Sequence, residues 1–186
     1  KIGMGSLEAL LNTTVEKIES IRKEKLKKAR AKFKKEIKNA KEYENKRMFS
    51  QAEDIYRSLA QRSDQDVLTG DMKAGAEKNR FLKIVKKLIK EHINSRDTIT
   101  LNSGEKISNA DKEGFLLEMG GLKRKLQWKN MEDRTFLMLA GKAVQENSSL
   151  EELTGYAVLL ADRGDYRRAD QYFADLEKSS SEIVSS

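Results

Sequence analysis

The chain has 186 residues, 38% of them hydrophobic and 36% charged, with 37 Lys and Arg against 30 Asp and Glu, for a net charge of +7. Proline and cysteine are absent and His92 is the single histidine, which excludes a disulfide framework, thiolate chemistry and any site that needs two imidazoles. The longest apolar runs, Phe136–Ala140 and Ala157–Ala161, are far shorter than the ~18 residues of a membrane-crossing helix, so no transmembrane segment is expected.

The opening "KIGMGSLEAL" lacks the apolar core of a signal peptide and an initiating Met. Residues 1–12 are therefore expected to be a scar and flexible start on a piece of a larger protein. From Thr13 the pattern is helical. Thr13 and Glu16 can form a capping box, and Val15, Ile18, Ile21, Leu26, Ala29, Phe33, Ile37, Ala40 and Tyr43 recur at steps of three or four through residue 46. A second helix is expected over 47–61, with Phe49, Ala52, Ile55, Tyr56 and Leu59 on one side. The polar Ser63–Asp66 should break it. A third runs from Val67 to Asn94, apolar at Phe81, Ile84, Val85, Leu88 and Ile93 and weakened early by Gly70 and Gly75. Residues 13–96 thus form an N-terminal helical region.

After Thr98 the apolar period shortens to two. Turn signals at Asn102-Ser103-Gly104, Asp111–Gly114 and Gly120-Gly121 divide the stretch into four short strands, near 98–101, 105–110, 114–119 and 122–128. Phe115, Leu117 and Met119 should share one face, as should Leu122, Leu126 and Trp128. So small a sheet needs a cover, and the flanking helices are the candidates. Residues 97–129 are therefore an antiparallel meander inserted in a mainly α chain.

Helix resumes after Asn130, an N-cap candidate with Asp133 three positions on. A break at Glu146–Ser149 precedes helices over Leu150–Asp162 and Tyr166–Glu177, with a turn at Gly164. The C-terminal helical region is 130–178, and 179–186 should be a frayed tail.

Two distant stretches share a pattern. Phe49, Ala52, Tyr56 and Leu59 have the spacing of Tyr166, Ala169, Phe173 and Leu176. With Tyr156, Ala157 and Gly164 ahead of the later set, this resembles the tetratricopeptide repeat, in which an alanine lets antiparallel helices approach and aromatics pack on the neighbour. The earlier set, with Ala40 and Tyr43, fits in part, because Arg47 stands where the family has its turn glycine. The resemblance implies antiparallel helical hairpins packed through Tyr43, Phe49, Ala52, Tyr56, Tyr156, Ala157, Gly164, Tyr166, Ala169 and Phe173. Two ordinary helical hairpins would satisfy the same residues. The meander, through Leu101, Ser103, Gly104 and Trp128, is similar to a small sheet module in accessory regions of large bacterial proteins, including some serine/threonine kinases.

No catalytic constellation, metal-ligand set or cofactor motif stands out. His92 near a helix end could act as a base, or simply interact with the helix dipole. Glu132-Asp133 and Glu151-Glu152 sit in first turns, where the dipole favours acid. The basic segment is different, since residues 22–47 hold 13 Lys or Arg against four Glu. Lys23, Lys27, Arg30, Lys34, Lys38 and Lys41 form a continuous stripe, which reads as a solvated face or as a surface for an acidic partner. In the repeat geometry Lys34, Lys38 and Lys41 face the groove. The expected function is a non-enzymatic interaction or scaffold module that binds an acidic protein or peptide segment. The alternative is an anion- or nucleic-acid-binding module using 22–47, although no nucleic-acid motif accompanies the charge.

Overall fold

The computed structural model describes residues 4–62, 66–144 and 148–184. Among these residues six α-helices and one four-stranded sheet follow in the order α1 (Met4–Asn45), α2 (Phe49–Arg62), α3 (Asp66–Asn94), β1 (Ile99–Thr100), β2 (Lys106–Ser108), β3 (Gly114–Met119), β4 (Leu122–Gln127), α4 (Asp133–Ala143), α5 (Leu150–Asp162) and α6 (Tyr166–Val184). The mainly α class with a small antiparallel meander is therefore observed.

The helices follow from their apolar spacing. Phe49, Ala52, Tyr56 and Leu59 line the buried side of α2. On α3, Leu82, Val85, Ile89 and Ile93 are buried at steps of three and four, and earlier Leu68, Met72 and Ala76 hold the helix continuous through Gly70 and Gly75. α1 and α2 fold back on each other, because Arg62 reaches Glu36 at 2.7 Å across the pair. α5 and α6 do the same, with the Tyr156 and Tyr172 rings edge to face at 5.2 Å. Two cores result. One joins Phe33, Ala40, Tyr56, Leu59, Leu68, Met72 and Ala76 among α1–α3. The larger one gathers the C-terminal half of α3, the sheet, α4 and α5 around Phe115, Trp128, Phe136, Leu139 and Leu160.

The sheet runs in the order β1-β2-β3-β4, every pair antiparallel. Met119 pairs with Leu122 across Gly120-Gly121, whose φ values of 58° and 82° are those of a type I′ turn.

Several boundaries differ from expectation. α1 begins at Met4, so Thr13 and Glu16 lie inside a helix; nothing from Leu7 onward is a strong helix breaker, and Asn12 and Thr13 do not stop a propagating helix. α6 likewise continues to Val184 through the expected tail, with no Gly or Pro to stop it. β1 and β2 are shorter than expected. Trp128 and Asn130 form a single 3-10 turn, so Trp128 is not in the last strand and Asn130 caps nothing. The N-cap of α4 is Glu132, without a side-chain cap bond. Met119 and Leu122 stand 58% and 79% exposed, since the helical cover ends before the hairpin tip, while Phe115, Leu117 and Trp128 are buried. The expected breaks at 63–66 and 146–149 fall largely outside the described residues, but Ser149 caps α5 in a full capping box with Glu152.

Candidate functional site

A cleft of about 670 Å³ opens between the start of α2, the outer side of α3, the 111–113 turn and the 3-10 turn. Its apolar lining comes from Met48, Phe49 and Trp128. The helical period of α3 explains its charge: while Leu82, Val85 and Ile89 face the core, Lys83, Lys86, Lys87 and Lys90 fall together on the adjoining flank of the helix. Lys46, Lys112 and Lys129 complete the rim.

Two of these lysines are neutralised, Lys83 by Glu53 at 2.7 Å and Lys87 by Glu91 at 3.8 Å. The acids in the lining, Asp111 and Glu113, are both taken by Lys125, at 2.7 and 3.3 Å. Lys46, Lys86, Lys90, Lys112 and Lys129 are left with no acidic partner among the described residues, a concentrated positive field beside an apolar floor.

The floor is held by backbone-directed bonds. The Asp111 carboxylate accepts from Lys125 and from the Gly114 and Glu113 N–H groups, which holds its pKa down to about 2. Its backbone carbonyl accepts from Trp128 Nε1 at 2.9 Å. Trp128 also packs against Phe115 with ring centroids 5.6 Å apart. Lys86 donates to the Arg47 carbonyl at 3.0 Å and stands 5.2 Å from the Trp128 ring centroid. Burial, and then the nearby Arg47 charge, push the Lys86 pKa down to about 8.

Arg47 anchors the α1–α2 turn to the larger core. Its guanidinium donates to the Trp128 carbonyl at 2.9 Å and to Asp133 at 2.7 Å, and lies 4.9 Å from the centre of the Phe136 ring. Burial depresses its pKa against the pull of Asp133; as an arginine it stays charged. The chain thus buries a cation beneath the cleft to hold Trp128 in place.

The expected partner-binding residues sit elsewhere. Lys34 and Lys41 border a separate hollow of about 370 Å³ with Arg30, Tyr56 and Asp71. Lys38 is not part of it and stands 3.8 Å from Glu42. Arg30, in the same stripe, is bound to Asp71 at 2.7 Å. The three lysines are therefore exposed on one helix, but only Lys34 and Lys41 share a hollow and Lys38 lies outside it. Of the repeat-packing residues, Phe49, Ala52, Tyr56, Tyr156, Ala157 and Ala169 are buried, and Tyr43 and Phe173 are half-buried. Tyr166 is not a packing residue: it is 66% exposed. His92 is buried in the last turn of α3, and burial, Arg96 and Lys142 lower its pKa, so it is neutral and gives the dipole no charge.

The cleft was readable in part, since the 83/86/87/90 spacing places four lysines on one helix face. The apolar positions of that helix do not by themselves reveal it. The contributions from 46, 112 and 129 come from segments that only the tertiary fold brings together.

Among the described residues no group of His, Asp and Glu could hold a metal ion. No helix among them is long and apolar enough to cross a membrane. The fold is thus a mainly helical chain carrying a cationic cleft against a small sheet. No family model, no curated protein and no solved structure matches it.

Proposed function

We propose that this chain is a non-catalytic protein-interaction module that receives an acidic protein segment in the lysine-lined cleft. The observation that carries the reading is the set of five lysines without acidic partners around Met48, Phe49 and Trp128. An acidic segment with an apolar residue would meet both the charge and the floor. The pinned carboxylate of Asp111 supports a binding role over general-acid catalysis by that residue, since a carboxyl held down to about 2 carries no proton to donate at neutral pH. Trp128 is buried, so the cleft offers no exposed ring on which bases could stack, which favours an acidic peptide over single-stranded nucleic acid. The basic segment 22–47 ends at the cleft with Lys46 and Arg47, and its field draws acidic ligands toward it. The buried alanines of the α1–α2 and α5–α6 pairs support a tetratricopeptide-like reading of the helical packing.

Trp128 is the single tryptophan, so its fluorescence reports on the cleft directly. The test is a titration with a Glu-rich peptide containing one leucine, at about 50 and 300 mM NaCl. Binding should weaken with salt. Lys90→Glu/Lys129→Glu should weaken it by about tenfold, from ~0.2–1 kcal/mol per exposed contact removed and reversed. Lys34→Glu/Lys38→Glu/Lys41→Glu should change it far less. An unchanged affinity in the cleft variant refutes the reading, and tighter binding of an oligonucleotide than of the peptide replaces it with a nucleic-acid one.

A further inference from the structure

β4 is a free edge of the sheet: β3 is its only strand neighbour, and residues 122–125 and 127 are exposed. The turn before it decides which of its backbone groups are already paired. A two-residue hairpin makes Met119 and Leu122 a hydrogen-bonded pair, and bonded pairs then recur at every second position, Leu117 with Arg124 and Phe115 with Leu126. Two contacts at the other end agree with this phase. The Trp128 N–H donates to the Glu113 carbonyl. Gly114, opposite Gln127, turns both of its backbone groups to Asp111: its N–H donates to the carboxylate and its carbonyl accepts from the Asp111 N–H. Lys123 and Lys125 therefore each point an N–H and a C=O away from β3, and Gln127 its N–H, with no partner among the described residues. Natural sheets close such an edge with a proline, a bulge or a covering element, and β4 has none of these.

We propose that the acidic ligand segment binds in extended form as a fifth strand along β4, with one end in the lysine-lined cleft. This rests on the cleft reading above and adds the ligand backbone to what is recognised. Gln127 joins the two surfaces, because its N–H ends the free edge and its residue lines the cleft beside Trp128 and Lys129. A chain leaving the apolar floor can follow positions 127, 125 and 123 without turning, over ~14 Å. Charge selects the occupant. Lys123 leans on Glu118 at 3.4 Å and Lys125 on Asp111 at 2.7 Å, while Arg124 between them has no acidic partner among the described residues. An added strand sets its side chains directly opposite these three, where acids are favoured and cations opposed. Two copies joined edge to edge would bring their Lys123-Arg124-Lys125 triplets together, so an acid-rich segment is preferred over a second copy. Leu122, exposed at the hairpin tip, offers that segment an apolar contact at its far end.

Backbone amide exchange, followed residue by residue by NMR on the isotope-labelled whole chain, tests the proposal. The probe is the same Glu-rich peptide with one leucine, made about twelve residues long to reach from the cleft along the edge. Without peptide the Lys123, Lys125 and Gln127 amides should exchange rapidly. At saturation they should slow by about tenfold or more, while the Arg124 and Leu126 amides, already paired to β3, change little. Lys123→Pro removes one edge donor without breaking a bond to β3, and should weaken the peptide by about fivefold. Lys123→Gln, which removes only the charge, should weaken it by less than about twofold. A peptide that changes Trp128 fluorescence yet leaves the 123, 125 and 127 amides unprotected overturns the added strand and leaves the cleft reading standing. So does a Lys123→Pro chain that binds as tightly as Lys123→Gln. A peptide that does not bind overturns both. Edge amides that slow as chain concentration rises, with no peptide present, overturn the proposal and assign β4 to a second copy.

Discussion

Replacing Arg47 with glycine sets two effects against each other. Both helical hairpins turn through the same motif. After α5, the Gly164 N–H donates to Ala161 and the Asp165 N–H to Leu160, with Gly164 at φ 80°. After α1, the Arg47 N–H donates to Glu44 and the Met48 N–H to Tyr43, with Arg47 at φ 54°. A left-handed φ costs a residue with a side chain about 1–2 kcal/mol relative to glycine, so Arg47→Gly relieves that much. Against it stand the charged hydrogen bond to the buried Trp128 carbonyl, about 1.5–3 kcal/mol, and the Phe136 ring contact, about 1–2 kcal/mol for a desolvated pair. The Asp133 pairing adds only about 0.5 kcal/mol, because Asp133 is 60% exposed and keeps Arg163. The net expectation is a loss of about 2 kcal/mol, or roughly 4–8 °C in melting temperature for a chain of this size. Arg47→Lys should not recover it, since an ammonium cannot span the carbonyl and the carboxylate as the guanidinium fork does. Thermal melts read by Trp128 fluorescence and by circular dichroism check both variants. If Arg47→Gly melts at or above the parent temperature, the guanidinium bonds are worth less than the strain, and the account of the cleft floor fails.

Gly114→Ala should destabilise by about 3 kcal/mol or more, because its Cβ would fall 1.8 Å from the Leu126 carbonyl oxygen and force β3 from β4; urea unfolding measures it. Ala169→Leu should cost about 1–3 kcal/mol by overpacking a buried position, and an unchanged melting temperature would refute close packing of α6 at that point. Lys86 sets a pH dependence. Its folded pKa of about 8 lies below the ordinary 10.5, so between those values the unfolded chain binds more protons and stability rises with pH. The gain is about 1–2 kcal/mol after allowing for solvent screening of a half-buried group, and it should vanish in Lys86→Met. Affinity for an acidic ligand should move oppositely, falling as pH rises through about 8 and Lys86 loses its charge.

How far the molecule was legible in its sequence depends on how local each signal is. α5 is legible to the residue, because the polar break ending at Ser149 and the turn at Gly164 bracket it; the capping box that Ser149 forms with Glu152 is seen only in the structure. The last hairpin was found because Gly120-Gly121 admits both positive φ values of its turn. Helix ends without stop signals were missed, at Met4 and at Val184. Alternation groups Phe115, Leu117 and Met119 on one face of β3, but it carries no information on how far the covering helices reach, so the exposure of Met119 does not follow from it. The cleft is not legible for a related reason: its cations come from four separated segments that only the tertiary fold brings together. Arg47 is the exception that links the two levels. It was visible in the sequence as an arginine where a turn glycine belongs, a break in a local rule. The turn keeps its strained backbone because the side chain is bonded across 81 residues to Trp128 and 86 to Asp133. A residue that is locally unfavourable and still holds its conformation must be compensated by distant contacts, and here those contacts build the floor of the proposed binding cleft.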